Sequence, residues 1–215
     1  MITVIGGIKG GSGKTTIATN LAVLRASETY KVLLVDADEQ RSATDWADQR
    51  HSQKNDVAEH LTTIQLSGKS IYSQLEKLKP DYDNIFVDVG GRDTTSQRSA
   101  LTIADIFLVP FKPRSLDIWT IGAVKQLIEE IKSVNRDLRC YAILNQADPK
   151  GTDNEDALQI LSECPNITCL PCQIGQRKAF SNAAADGLGV TEIKHFDKKA
   201  ASEMETLYKH ILGKN

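Results

Sequence analysis

The run from Ile8 to Thr16, IKGGSGKTT, carries the clearest chemistry in the chain: glycines at 10, 11 and 13 and lysines at 9 and 14 stand between an apolar run and a helical pattern. Glycines so placed let backbone N–H groups converge on phosphate oxygens, and a helix opening near Lys14 adds the positive end of its dipole. Lys14 supplies a compact cation, and the Thr15 hydroxyl is placed to ligate Mg²⁺, with Ser12 and Thr16 completing the cradle. A glycine turn ahead of a core helix is the plain alternative. It gives no reason for strand, loop, paired lysines and helix to coincide. The expected chemistry is nucleotide binding, with Mg²⁺.

A phosphate loop needs carboxylates at the ends of neighbouring strands, because phosphoryl transfer relies on positioning and charge neutralisation. VLLVDAD offers Asp36 and Asp38, and NIFVDVGG offers Asp88 after a mostly apolar run. Any one of these acids alone could instead cap the helix that follows its strand. Gly90 and Gly91 allow the segment after Asp88 to approach the γ-phosphate.

The order of residues in the loop is distinctive. Ile8 stands where G-x-x-x-x-G-K-[ST] wants glycine, and Lys9 follows it, giving K-G-G-x-G-K-[ST]. This form resembles the deviant Walker A loop of the ParA/MinD branch of P-loop ATPases. DADEQRSAT resembles that family's D-x-D-P-Q motif with Glu39 in place of proline, and AILNQADPKG resembles its adenine-contacting segment. VDVGGRDTTSQRSALTIADIFLVPFKPRSLDIW and QIGQRKAFSNAAADGLGVTEI are similar to the switch and C-terminal segments of small ParA proteins, so the resemblance covers nearly the whole chain.

The resemblance implies slow ATP hydrolysis by a homodimer with ATP sandwiched between subunits. Lys9 would reach the partner's phosphates, Lys14 would stabilise charge in its own site, and Asp38 would orient the attacking water. Thr15, Asp36 and Asp88 would hold Mg²⁺, partly through water, and Asn145 would touch the base or ribose. Family members of this type bind DNA nonspecifically in the ATP state, which implies nucleoid association, and release it when a ParB-like adaptor bound to cargo stimulates hydrolysis. Cations that could meet DNA phosphates stand near the C-terminus at Arg177, Lys178, Lys194, Lys198 and Lys199, although Arg177 also suits a structural or interfacial place.

These residues need a scaffold, and the pattern of the chain supplies one. Apolar, β-branched runs recur at 2–7, 31–38, 61–68, 84–90, 106–111, 140–145 and 167–172. Several are apolar throughout instead of alternating, as strands of a parallel sheet covered on both faces are. Ile17, Leu21 and Leu24 recur at helical spacing after the loop, and Met204, Leu207, Tyr208, Ile211 and Leu212 do so near the end. The expected fold is α/β, a doubly wound, mostly parallel sheet with helices on both faces, as one domain over 1–215.

With 40% hydrophobic and 25% charged residues among 215, the composition is that of a globular protein, and a net charge of −2 leaves DNA binding to a local patch. No apolar run is long enough to span a membrane, and Met1 leads straight into a strand, so a cytoplasmic protein without a separate N-terminal domain is expected. Cys169 and Cys172 have C-x-x-C spacing near Cys164, with His195 the nearest added ligand, but thiols on an apolar strand are commonly small core residues. Trp46 and Trp119 suit partner contact or core packing equally, and Lys150 suits a solvated turn. The competing function is a MinD-like regulator cycling on membranes through the last helix, whose mixed-charge polar face fits a core helix better. A metal-cluster carrier would need cysteines between 89 and 105, where there are none.

Overall fold

The computed structural model describes residues 1–52, 59–113, 118–148, 153–193 and 197–213. All seven apolar runs form strands: β1 Ile2–Ile5, β2 Val32–Ala37, β3 Leu61–Gln65, β4 Asn84–Val89, β5 Ile106–Phe111, β6 Arg139–Ala147 and β7 Thr168–Gly175. They make one sheet in the order β3-β2-β4-β1-β5-β6-β7, with every neighbouring pair parallel.

Two hydrophobic layers cover the sheet, which explains why β1, β2, β4 and β5 are buried at every position. Leu33, Val35, Ile85 and Val87 face one layer, together with Ile71 and Leu75 of α3 (Ile71–Leu78), Leu101 of α4 (Thr95–Leu101), Val124 and Leu127 of α5 (Ile118–Lys132) and Leu161 of α6 (Asp153–Ser162). Val32, Leu34 and Phe86 face the other, with Ile17 and Leu21 of α1 (Lys14–Ser27), Trp46 of α2 (Ser42–Ser52), Phe180 of α7 (Lys178–Ala185) and Met204, Leu207 and Ile211 of α8 (Lys198–Leu212). Alternate residues of one strand thus feed opposite cores.

The same alternation bears on the cysteines. Cys169 packs against the first layer and Cys172 against the second. Their C-x-x-C spacing therefore sends the thiols to opposite sides of β7, and no group of three metal-ligating side chains exists among the described residues. Trp46 is core, 5% exposed, with its indole N–H 3.4 Å from the Leu188 carbonyl. Lys150, Lys194, His195 and the side chain of Trp119 lie outside the described residues.

β1 is the pivot of the topology. It lies between β4 and β5, so the chain leaves it on one side to build β2 and β3 and passes to its other side for β5 to β7. The loop after β1 opens at the place where an open α/β sheet leaves a crevice at its carboxyl edge.

Candidate nucleotide-binding site

The loop after β1 turns sharply into α1. Gly11 at φ +72 and Gly13 at φ +87 occupy left-handed backbone, and a Cβ on Gly13 would run into the Asn145 amide. Gly13 caps α1 without a side-chain bond, leaving the first N–H groups of the helix pointing at open space. That space is a cavity of about 720 Å³ lined by the loop glycines, Lys14, Thr15 and Thr16, by Asp38 from the β2 end, and by Gly90, Gly91 and Arg92 after β4.

Lys14 is turned inward, 6% exposed, with its ammonium 3.2 Å from the Lys9 carbonyl. Burial lowers its pKa, and Asp88 and Asp38 oppose that shift. Lys9 is exposed. The two lysines of the motif thus separate, Lys14 buried in the cavity lining and Lys9 exposed outside it.

The three acids have three different environments. Asp88 is 1% exposed, and its Oδ2 accepts the Thr15 hydroxyl at 2.6 Å while Oδ1 has no partner. Burial pushes its pKa up to about 7; the Thr15 bond and Lys14 pull down, and Asp36 and Asp38 push up. A desolvated carboxylate with an orphaned oxygen beside a hydroxyl is a donor set short of one hard cation, which is what Mg²⁺ requires. Asp38 is partly exposed at the cavity wall, with Oδ1 accepting the Gln40 N–H at 3.1 Å. The turn that lacks the motif proline closes by a bond from Arg41 N–H to the Asp38 carbonyl, 3.1 Å, with Arg41 at φ 55.

Asp36 is occupied differently from the expectation. It is fully buried in register with Asp88, but its Oδ2 accepts both the Thr44 N–H at 2.7 Å and the Thr44 hydroxyl at 2.8 Å, and Oδ1 accepts the Asp38 N–H at 3.1 Å. Its carboxylate caps α2 and shapes the Asp38 turn, because helix α2 begins close enough to draw it in. Asn145 is likewise drawn inward: 4% exposed, its amide donates to the Ser12 carbonyl at 2.6 Å, so it holds the phosphate loop, while its neighbour Gln146 lines the cavity. Gln146 also reaches the Gly11 carbonyl at 3.2 Å. Arg92 and Gln146 are cavity residues that the sequence reading left out; the first sits immediately after the Gly90–Gly91 pair and the second immediately after Asn145.

The C-terminal cations divide as well. Arg177 makes a two-pronged ion pair with Glu203 of α8, at 3.0 and 2.5 Å, and lies 4.0 Å from Asp197. Its guanidinium is spent on fastening α8 to the end of β7, where Glu203 also accepts the Gly175 N–H at 3.0 Å. That clasp sets the first residues of α7 and α8 side by side, with Lys178, Lys198 and Lys199 exposed there.

A family model described as the CobQ/CobB/MinD/ParA nucleotide binding domain matches residues 3–190. The chain belongs to this family. Over 214 residues it is 25% identical to the maintenance of carboxysome distribution protein A of Halothiobacillus neapolitanus, covering 97% of this chain and 94% of that protein. Its fold matches an ATP complex of a McdA variant from Cyanothece with a TM-score of 0.79 at 17% identity, covering 100% and 96% of the two chains. The cell division ATPase MinD of Pyrococcus furiosus matches with a TM-score of 0.73 at 18% identity, over 98% and 97%. The seven-stranded parallel sheet with its phosphate loop is the ParA/MinD fold.

Proposed function

We propose that this ParA/MinD family member hydrolyses ATP slowly as a homodimer with the nucleotide between subunits, and that the ATP-bound pair binds DNA without reading bases until a ParB-like adaptor stimulates hydrolysis. Its work is to position cargo. The observation that carries this reading is the division of the loop lysines, Lys14 buried beside the carboxylates of one cavity and Lys9 exposed and outside that cavity's lining. The near full-length match to a protein named for carboxysome distribution supports the positioning role.

In this reading Thr15 and Asp88 hold Mg²⁺, and Asp36 acts through the Asp38 turn instead of on the metal. The bound ion supplies charge neutralisation on the phosphates. Lys14 and the loop amides bind and orient the triphosphate, and the partner's signature lysine enters from outside. Asp38, partly exposed beside the cavity, orients water. Hydrolysis here keeps time, so a low rate suits the task.

Exposed Lys178, Lys198 and Lys199 at the paired helix starts favour a DNA-facing surface, doubled in a dimer. The MinD-like membrane reading has less support, because Met204, Leu207, Tyr208 and Ile211 of α8 are buried against the sheet. The deciding experiment is DNA binding at several salt concentrations with no nucleotide, ADP or ATP, and with Asp38→Ala plus ATP, alongside sedimentation. ATP-driven dimerisation and DNA binding, held in the variant, are expected. A nucleotide-dependent dimer that ignores DNA at low salt but binds anionic vesicles would sink the DNA reading.

A further inference from the structure

The segment between β4 and α4 carries a cation that the motifs do not assign. Arg92 lies between two fixed points. On one side Gly91 is pressed against the phosphate loop so closely that a Cβ there would stand 2.5 Å from both Gly10 N and Gly10 Cα and 2.8 Å from the Lys9 carbonyl carbon. On the other side Asp93 is gripped by Arg98, with Nε to Oδ1 at 2.7 Å and Nη2 to Oδ2 at 2.5 Å, and Arg98 is itself tied to Glu130 of α5 at 2.6 Å. Thr94 then caps α4 by accepting the Gln97 N–H at 3.1 Å. The backbone at 92 is therefore held at the mouth of the nucleotide cavity.

Arg92 lines that cavity together with Lys14, Thr15 and Asp38. Arg92 is exposed and, among the described residues, its guanidinium makes no hydrogen bond or ion pair, whereas Arg25, Arg50, Arg98 and Arg177 are each paired with a carboxylate; the side chains of Arg41 and Arg136 are also unpaired, but neither residue lines the cavity. A planar fork of donors, left without an anion on a backbone held beside a phosphate loop, matches the oxygens of a transferring phosphoryl group.

We propose that Arg92 is a catalytic residue, an arginine supplied in cis that stabilises the γ-phosphoryl oxygens while negative charge spreads over them. The proposal rests on the ATPase reading above. In the step it serves, the water oxygen forms the new bond to Pγ, the bond from Pγ to the β,γ-bridging oxygen breaks, ADP leaves with that electron pair, and the water's proton goes to solvent. Arg92 neither gives nor takes a proton. Its contacts strengthen as the bond breaks, so they act on turnover and not on ground-state affinity.

The test is single-turnover hydrolysis by wild type, Arg92→Ala and Arg92→Lys, with affinity for a non-hydrolysable ATP analogue and trapping of ADP with aluminium fluoride measured in parallel. Arg92→Ala should hydrolyse about 100-fold more slowly, bind the analogue within about threefold of wild type, and fail to trap ADP with aluminium fluoride. Arg92→Lys should fall between, because an ammonium keeps the charge but loses the fork. Unchanged hydrolysis would make Arg92 a solvated surface charge and overturn the inference. Equal losses of hydrolysis and analogue affinity would also overturn it, in favour of a ground-state binding role. Wild type that binds ATP but never cleaves it would remove the ATPase reading itself, whatever Arg92 does.

Discussion

Asp88→Asn gives the most direct check on the proposed metal site, because two consequences of one substitution have opposite signs. In the ligand-free protein the Asp88 carboxyl titrates near 7, raised chiefly by burial, against 3.8 for an ordinary aspartate. Its neutral form is the one the fold tolerates. The unfolded chain loses this proton near pH 4 and the folded one near pH 7, so ligand-free stability falls as pH rises between those values and is level above them. A gap of about 3 pH units at ~1.36 kcal/mol each sets a ceiling of about 4 kcal/mol. Asparagine mimics the protonated acid and keeps an oxygen for the Thr15 hydroxyl, so the variant does not titrate. Urea unfolding in EDTA at pH 5, 6, 7 and 8 should show the stability of Asp88→Asn relative to wild type growing by up to about 2.7 kcal/mol between pH 5 and 7 and little beyond. In the presence of Mg²⁺ and ATP the order should reverse, because only wild type gains from the ligand. A difference between the two proteins that stays constant from pH 5 to 7 would refute the desolvated-carboxylate argument.

Arg50→Ala should lower stability by about 3–5 kcal/mol, since it takes the counter-charge from the poorly exposed Glu192, which Arg50 holds through two bonds of 2.8 Å; a loss under about 1 kcal/mol in chemical denaturation would deny the clasp that role. Asn145→Ala should weaken ATP and inorganic tripolyphosphate alike, by about tenfold, because the lost bond supports the Ser12 carbonyl; a loss confined to adenine nucleotides would restore Asn145 as a base contact. Lys198→Ala and Lys199→Ala should each reduce the slope of log affinity for DNA against log salt by about 1, and unchanged slopes would move the DNA surface elsewhere.

Much of the fold was legible because both faces of the sheet are covered. Continuous apolar runs such as VLLV and IFLVPF mark buried parallel strands, and all seven appeared where those runs lie. The phosphate loop was legible for a related reason: its glycines, lysines and threonines are contiguous, and their spacing alone sets the turn. What escaped the sequence were contacts between residues far apart in the chain. Arg50 meets Glu192 across 142 positions, Asn145 meets Ser12 across 133, and Arg177 meets Glu203 only once α8 has folded back onto β7.

The acids show how that limit bears on function. Asp36 and Asp88 stand at matching strand ends and face each other in register, so strand position alone makes them equivalent. Thr44 breaks the equivalence. By donating twice to Asp36 it fills that carboxylate and ties it to α2, while Asp88 keeps one oxygen unsatisfied and its proton loosely held near neutral pH. A buried acid pair in which one member is saturated and the other is not gives a cation a single place to enter. The saturated member also fixes the Asp38 N–H, so the residue read as the water's guide takes its position from the acid whose oxygens are already filled.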